Sequence, residues 1–268
     1  MADTCKSCHD PLTLTLDPED SGDEGSASAS NPGETVPDDL VLPCGCHFHW
    51  QCLLDHASIV TSTLCCPSCQ TSVSSSTTFS SAASSSSSNP QPHQPTQILT
   101  HYTNEGGPQP SLDLYPTLLE ESFLAAHPEA RPARALHTLA AAGEVSDMVG
   151  LLTSLDEDSD AEDSEDALSP AQLLVWRDPL NGGRSALHVA LEARQEEVVW
   201  LLLWLGSAAR REDFPDAVVQ VAVAMGLPRP DGGEDVRFVR DEAGRTAGDV
   251  CLELGEPWTR LVEGGLFV

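Results

Sequence analysis

From Ile98 onward apolar residues recur at helical spacing, and three stretches repeat a common pattern. "GRSALHVALEARQEEVVWLLLWLGS" (183–207) carries Ala186-Leu187-His188 and then an apolar run ending near Gly206. "RALHTLAAAGEVSDMVGLL" (134–152) carries Ala135-Leu136-His137, Gly143 and Leu151-Leu152. "DEAGRTAGDVCLELGEPWTRLV" (241–262) keeps Gly244-Arg245-Thr246 and Gly255, with Asp249 where the others have histidine. Each unit predicts two antiparallel helices and a turn, and none can bury its apolar face alone, so stacking would make the core. The copies are unevenly spaced. The acidic run "DEDSDAEDSED" (156–166) fills one gap, and "FPDAVVQVAVAMG" (214–226) predicts an extra helix in the other, started by Pro215 and stopped by Gly226. A capping helix is expected over 115–129, while 100–107 is ordered in composition without an assigned element. Trp200 and Trp204, four apart, are expected to pack inside, and Cys251 to act as a small core residue.

The pattern fails before residue 98. "TSVSSSTTFSSAASSSSSNPQPHQPTQ" (71–97) has almost nothing to bury and predicts a disordered linker over 72–97. The acidic insertion 17–39 and a loop over 155–168 are likewise expected to be disordered. Ser21 with Glu24 and Ser159 with Glu162 match acidophilic kinase sites. The fold class is therefore mainly α: a small module in 1–71, the linker, and a helical domain over 98–268.

Charge and cysteine content narrow the function. A formal net charge of −29 repels phosphate backbones and anionic surfaces, so neither nucleic acid nor membrane is an expected partner. No apolar run of 18 residues and no signal-like N-terminus is present, which points to cytoplasm and/or nucleus. Disulfides are rare in such compartments, yet the chain has nine cysteines, all but Cys251 at or before Cys69. Metal binding is the reading that accounts for them. Cys5-x-x-Cys8 and Cys66-Pro67-Ser68-Cys69 flank "CGCHFHWQC" (44–52). Eight ligands make two closed four-coordinate sites, the mark of structural zinc, with no open position for zinc hydrolysis. Two zinc ions would supply folding energy that this small module lacks.

The order Cys-x-x-Cys, "PCGCHFHWQCL", "CPSC" resembles the RING finger family over about 70 residues. The resemblance implies a cross-brace: Cys5, Cys8, His49 and Cys52 on one zinc, Cys44, Cys46, Cys66 and Cys69 on the other. His47 is the alternative to Cys46, and Cys65 the alternative to Cys66. A PHD finger has the same ligand order but requires a tryptophan where Leu64 stands. RING fingers recruit a ubiquitin-conjugating enzyme and hold its thioester in a reactive conformation, which is catalysis by positioning with no side-chain nucleophile and no catalytic residue. Three contact positions depart from the active family pattern: Ser7, His56 and Gln70.

The C-terminal units resemble ankyrin repeats. That resemblance assigns His137 and His188 a structural role at helix starts, and implies a protein substrate as partner. The joint expectation is a RING-type ubiquitin-protein ligase or ligase component with an ankyrin-like receptor. The alternative is a non-enzymatic zinc-binding adaptor that uses both parts only for protein–protein interaction.

Overall fold

The computed structural model describes residues 4–15, 35–74, 96–158, 168–229 and 232–267. Most of the predicted linker, the acidic residues 17–34 and 159–167, and the serines 21 and 159 lie outside them. The chain divides into two compact units, Met1–Ala126 and His127–Val268.

The first unit starts with an antiparallel ribbon of β1 (Thr13–Thr15) and β2 (Thr35–Pro37), with Thr13 opposite Pro37. The ends of the acidic insertion are thus held side by side, which lets a long insertion sit inside a small module. A four-stranded sheet follows in the order β4-β3-β5-β6, built from β3 (Asp39–Val41), β4 (His47–Phe48), β5 (Leu99–Asn104) and β6 (Gly107–Asp113). Helices α1 (Trp50–Leu54), α2 (Ala57–Thr63) and α3 (Tyr115–Ala126) complete the unit.

The expected boundary at residue 98 and the expected capping helix are corrected by the structure. Residues 98–126 belong to the Cys-rich unit: β5 pairs with β3, and α3 packs on α2 rather than capping a repeat. The stretch 100–107 forms most of a hairpin, with Asn104 opposite Gly107 and the Asn104 side chain accepting from the Gly106 N–H at 3.0 Å. The physical reason is burial. Ile98, Leu114 and Leu118 are fully or almost fully buried with Leu40, Leu42, Phe48, Leu53 and Val60, giving the module a core that its first 71 residues could not assemble. The insertion is also shorter than expected, because residues 35–39 enter β2 and β3.

Asp38 ties this core together. Although only 3 % exposed, its carboxylate accepts from the Trp50 N–H at the start of α1 (3.2 Å) and from the Tyr102 hydroxyl (3.0 Å). A buried carboxylate with partners on a helix end and a neighbouring strand is satisfied rather than orphaned. The Trp50 and Tyr102 rings meet at 5.0 Å beside it.

The second unit is helical: α4 (Arg131–Ala142), α5 (Val145–Asp158), α6 (Pro170–Val175), α7 (Ala186–Glu192), α8 (Glu196–Gly206), α9 (Asp216–Ala224), α10 (Ala247–Leu254) and α11 (Thr259–Glu263). Helix α7 packs between α4 and α10, while α5, α8 and α11 pair with α4, α7 and α10 respectively. In each pair the first helix closes one or two residues before the position six after His137, His188 or Asp249. Gly143 and Arg194 stand there at φ +87° and +60°, whereas Gly255, at φ +74° and ψ −156°, takes an extended conformation open to glycine. Helix α5 runs to Asp158, so the acidic loop expected from 155 begins inside a helix.

Asp249 looked degenerate beside the two histidines, but its chemistry fits. Its Oδ2 accepts from the Thr246 N–H and hydroxyl, both at 2.8 Å, and so caps α10. His188 serves α7 in a similar way. Its Nδ1 faces the Ser185 N–H and hydroxyl (3.3 and 2.7 Å), while Nε2–H donates to the Arg245 carbonyl of the next copy (3.1 Å). A carbonyl can only accept, which puts a proton on Nε2, and a backbone N–H can only donate, which leaves Nδ1 bare and the imidazole neutral. Turn-to-turn bonding continues at the Glu242 N–H, which donates to Gly182 O (2.9 Å). Trp204 and Cys251 are buried and Trp200 is half-buried, while Arg134 forms an ion pair with the fully buried Asp178. Among the described residues no helix is long and apolar enough to cross a membrane.

Candidate metal centres

Local backbone geometry places the cysteines. In Cys5-Lys6-Ser7-Cys8 the Cys5 N–H donates to Asp10 O and the His9 N–H returns to Cys5 O, both at 3.0 Å, with His9 left-handed at φ +69°. Cys66-Pro67-Ser68-Cys69 repeats this turn: Cys66 N–H to Thr71 O (2.9 Å), Gln70 N–H to Cys66 O (3.0 Å), and Gln70 at φ +61°. Both turns fold the chain back so that two sulfurs face one point. Between Cys44 and Cys46, Gly45 takes φ +80°, a conformation that costs glycine little. The last two candidate ligands share a helix: His49 immediately precedes α1, and Cys52 lies three residues on, one turn away.

These elements gather two quartets. The ligand atoms of Cys5, Cys8, His49 and Cys52 all lie within 4.8 Å of one another, and so do those of Cys44, Cys46, Cys66 and Cys69. Four sulfurs at about 2.3 Å from one tetrahedral zinc would sit roughly 3.8 Å apart, so each cluster has the size of a filled site. Two separate sites could hold two zinc ions, one with three thiolates and an imidazole, the other with four thiolates. His47 and Cys65 fall outside both groups. The His47 Nδ1 meets Asp39 Oδ1 at 2.8 Å, and the Cys65 thiol points to Thr63 O at 3.4 Å.

The His49 tautomer follows from its partners. Nε2 lies 2.9 Å from Pro11 O, so Nε2–H donates there and Nδ1 is left facing Cys8 and Cys52 sulfur at 3.3 and 3.7 Å. A carbonyl behind the second ring nitrogen is the usual means of orienting a ligating imidazole. Sequence reasoning missed this partner because a backbone carbonyl carries no residue signature. It also missed the Thr71 hydroxyl, 3.3 Å from the Cys69 sulfur.

The thiols are unequal. Burial pushes the Cys5 thiol up, but amide donors from Cys8, His49 and Ser7 outweigh it and bring it down to about 7. Cys69 is held at about 6, chiefly by the Thr71 hydroxyl and amide. Cys46 and Cys52 are pushed up to about 12, first by burial and then by neighbouring cysteines. Each quartet therefore pairs a thiol that ionises readily with one that keeps its proton until a cation displaces it, and metal uptake must release protons. With all four donors supplied by protein, neither site leaves a position for substrate. The nine cysteines are unpaired as disulfides.

No family model matches the chain, and no match is found among curated proteins or solved structures. Fold and site together define a class: a chain with two Cys/His clusters able to hold zinc near its N-terminus, followed by a mainly helical unit.

Proposed function

We propose that the chain is a RING-type ubiquitin-protein ligase or ligase component, whose zinc module recruits a ubiquitin-conjugating enzyme and whose ankyrin-like helices hold a protein substrate. The observation that carries this is the interleaving of the quartets. The first and third ligand pairs in chain order converge on one point, the second and fourth on another. A chain of independent zinc knuckles would instead join consecutive pairs. Support for the ankyrin-like reading comes from the three stacked helix pairs and from His188, which caps its own helix and bonds the next copy.

In this reading the module acts by positioning, and its work is to shape a surface. Ser7 and His56, two of the positions that depart from the active pattern, meet on that surface at 3.2 Å between Oγ and Nε2. Gln70, the third, is exposed and suits the turn, but brings amide where the family favours a cation. These three residues support the second reading, a non-enzymatic adaptor that docks partners without activating a thioester. The unpaired cysteines suit a reducing compartment, cytoplasm or nucleus, in either case.

The deciding experiment is discharge of ubiquitin from a panel of conjugating-enzyme thioesters onto free lysine, with zinc-loaded protein. Acceleration by wild type and not by Cys66→Ser supports the ligase. No acceleration with any enzyme, from folded two-zinc protein, supports the adaptor.

A further inference from the structure

One residue beside the first candidate zinc site is singular by type. The 268 residues contain 13 Lys+Arg, and a single one of them is lysine, Lys6. Lysine is ordinarily among the commonest residues of a globular chain. The distinction between the two cations is chemical. A guanidinium stays protonated in proteins and has no nitrogen lone pair to offer an acyl group, whereas an ε-amine can lose its proton and become a nucleophile.

Ubiquitin transfer depends on that nucleophile. The ε-amine of an acceptor lysine attacks the thioester carbonyl, and a C–N isopeptide bond replaces the C–S bond. The conjugating enzyme's thiol leaves, and a proton passes from the amine to solvent. Within this sequence Lys6 is the one side chain able to act so.

Its position is equally unusual. Lys6 lies inside the turn between Cys5 and Cys8 and is exposed. Its N–H donates to His47 O at 2.8 Å, and its neighbour Ser7 reaches His56 at the start of α2. The turn carrying the one lysine amine is thus pinned on both sides to the zinc module, with little freedom to swing toward a distant thioester.

We propose that the chain is built to escape ubiquitin transfer onto itself: lysine is excluded elsewhere, and Lys6 is withheld because its turn belongs to the face that a conjugating enzyme covers. The inference rests on the ligase reading, in which Ser7 and His56 hold contact positions. The consequence is a ligase whose acceptors are lysines of other proteins, and whose persistence is not limited by its own activity.

The test uses zinc-loaded full-length protein, a conjugating enzyme charged with ubiquitin, and two readouts in parallel: discharge onto free lysine, and the intact mass and peptide map of the chain itself. A comparison variant carries Gln109→Lys, Arg210→Lys and Arg260→Lys, all at exposed positions. The expected result is accelerated discharge with both proteins, no ubiquitin on Lys6 of the wild type, and a mass gain of at least one ubiquitin on the variant's introduced lysines. Ubiquitin on Lys6, or equal modification of wild type and variant through hydroxyl groups, would overturn the proposal with the ligase reading intact. Absence of accelerated discharge would remove the ligase reading itself, and this inference with it.

Discussion

Lowering the pH from 7 to 5 is expected to weaken the helical unit through one residue, His137. Its ring is buried in α4, edge-on to Trp176 at 5.2 Å between centroids. Burial, opposed by Asp178 and reinforced by Arg134, depresses its pKa to about 4. A histidine in unfolded chain titrates near 6.5, so between these values the unfolded state binds the extra proton and stability rises with pH. Stability is full above about 6.5, falls as pH drops through the window, and stops falling below about 4. For a histidine shifted this far the loss between pH 7 and pH 5 is about 2 kcal/mol. His188, also depressed by burial, adds in the same direction. Urea titrations at the two pH values, followed by tryptophan fluorescence, would measure the loss for wild type and for His137→Asn. Zinc release at low pH is common to both proteins and cancels in the comparison. The variant should lose less stability than wild type by about 2 kcal/mol. Equal losses would refute the assignment of a buried neutral imidazole to position 137.

Three further outcomes follow from local chemistry. Arg194→Gly should raise the unfolding free energy by about 1 kcal/mol, because Arg194 holds a positive φ just past α7, as Gly143 does past α4; unchanged or lower stability in denaturant would count against it. Arg134→Ala should cost about 3 kcal/mol by leaving Asp178 charged and buried, and adding Asp178→Asn should recover part of that cost, so strictly additive losses would contradict the pairing. Tyr102 ionises at about 12, raised first by burial and then by Asp38. In a Tyr115→Phe background, Asp38→Asn should move the tyrosinate absorbance midpoint down toward the ordinary value near 10, and no movement would exclude the Asp38 contact.

The candidate site was legible to an unusual degree because cysteine spacing carries the chemistry directly. Two thiols separated by two residues face one point whatever the rest of the fold does, so Cys5, Cys8, Cys66 and Cys69 could be grouped without tertiary information. The same spacing favours Cys66 over Cys65, but the choice between Cys46 and His47 could not be made that way. It depends on where the chain entering β4 aims its side chains. The module's limits were illegible for a related reason. Residues 98–126 read as part of the helical half because apolar residues return from Ile98 at helical spacing after the Ser-rich run, while the burial of Ile98, Leu114 and Leu118 against Leu40, Phe48 and Leu53 is a long-range fact. Pro108 and Pro110 further hid β6, since proline argues against a central strand and is tolerated at the sheet edge where β6 lies. In the second unit Ala-Leu-His marked the first helix of two of the three pairs, yet the fitness of Asp249 was not visible, because histidine and carboxylate look unlike while both can accept from a helix N-terminus.

Whether the two quartets interleave is read out by cadmium-113 substitution. Proton–cadmium correlation spectra of the loaded protein report which cysteine side chains bind each ion. The expected result is two cadmium resonances, one coupled to Cys5, Cys8 and Cys52 together with the His49 ring, the other to Cys44, Cys46, Cys66 and Cys69. One resonance joining Cys5 and Cys8 to Cys44 and Cys46 would mean consecutive pairing, and would contradict both the site geometry and the function proposed from it.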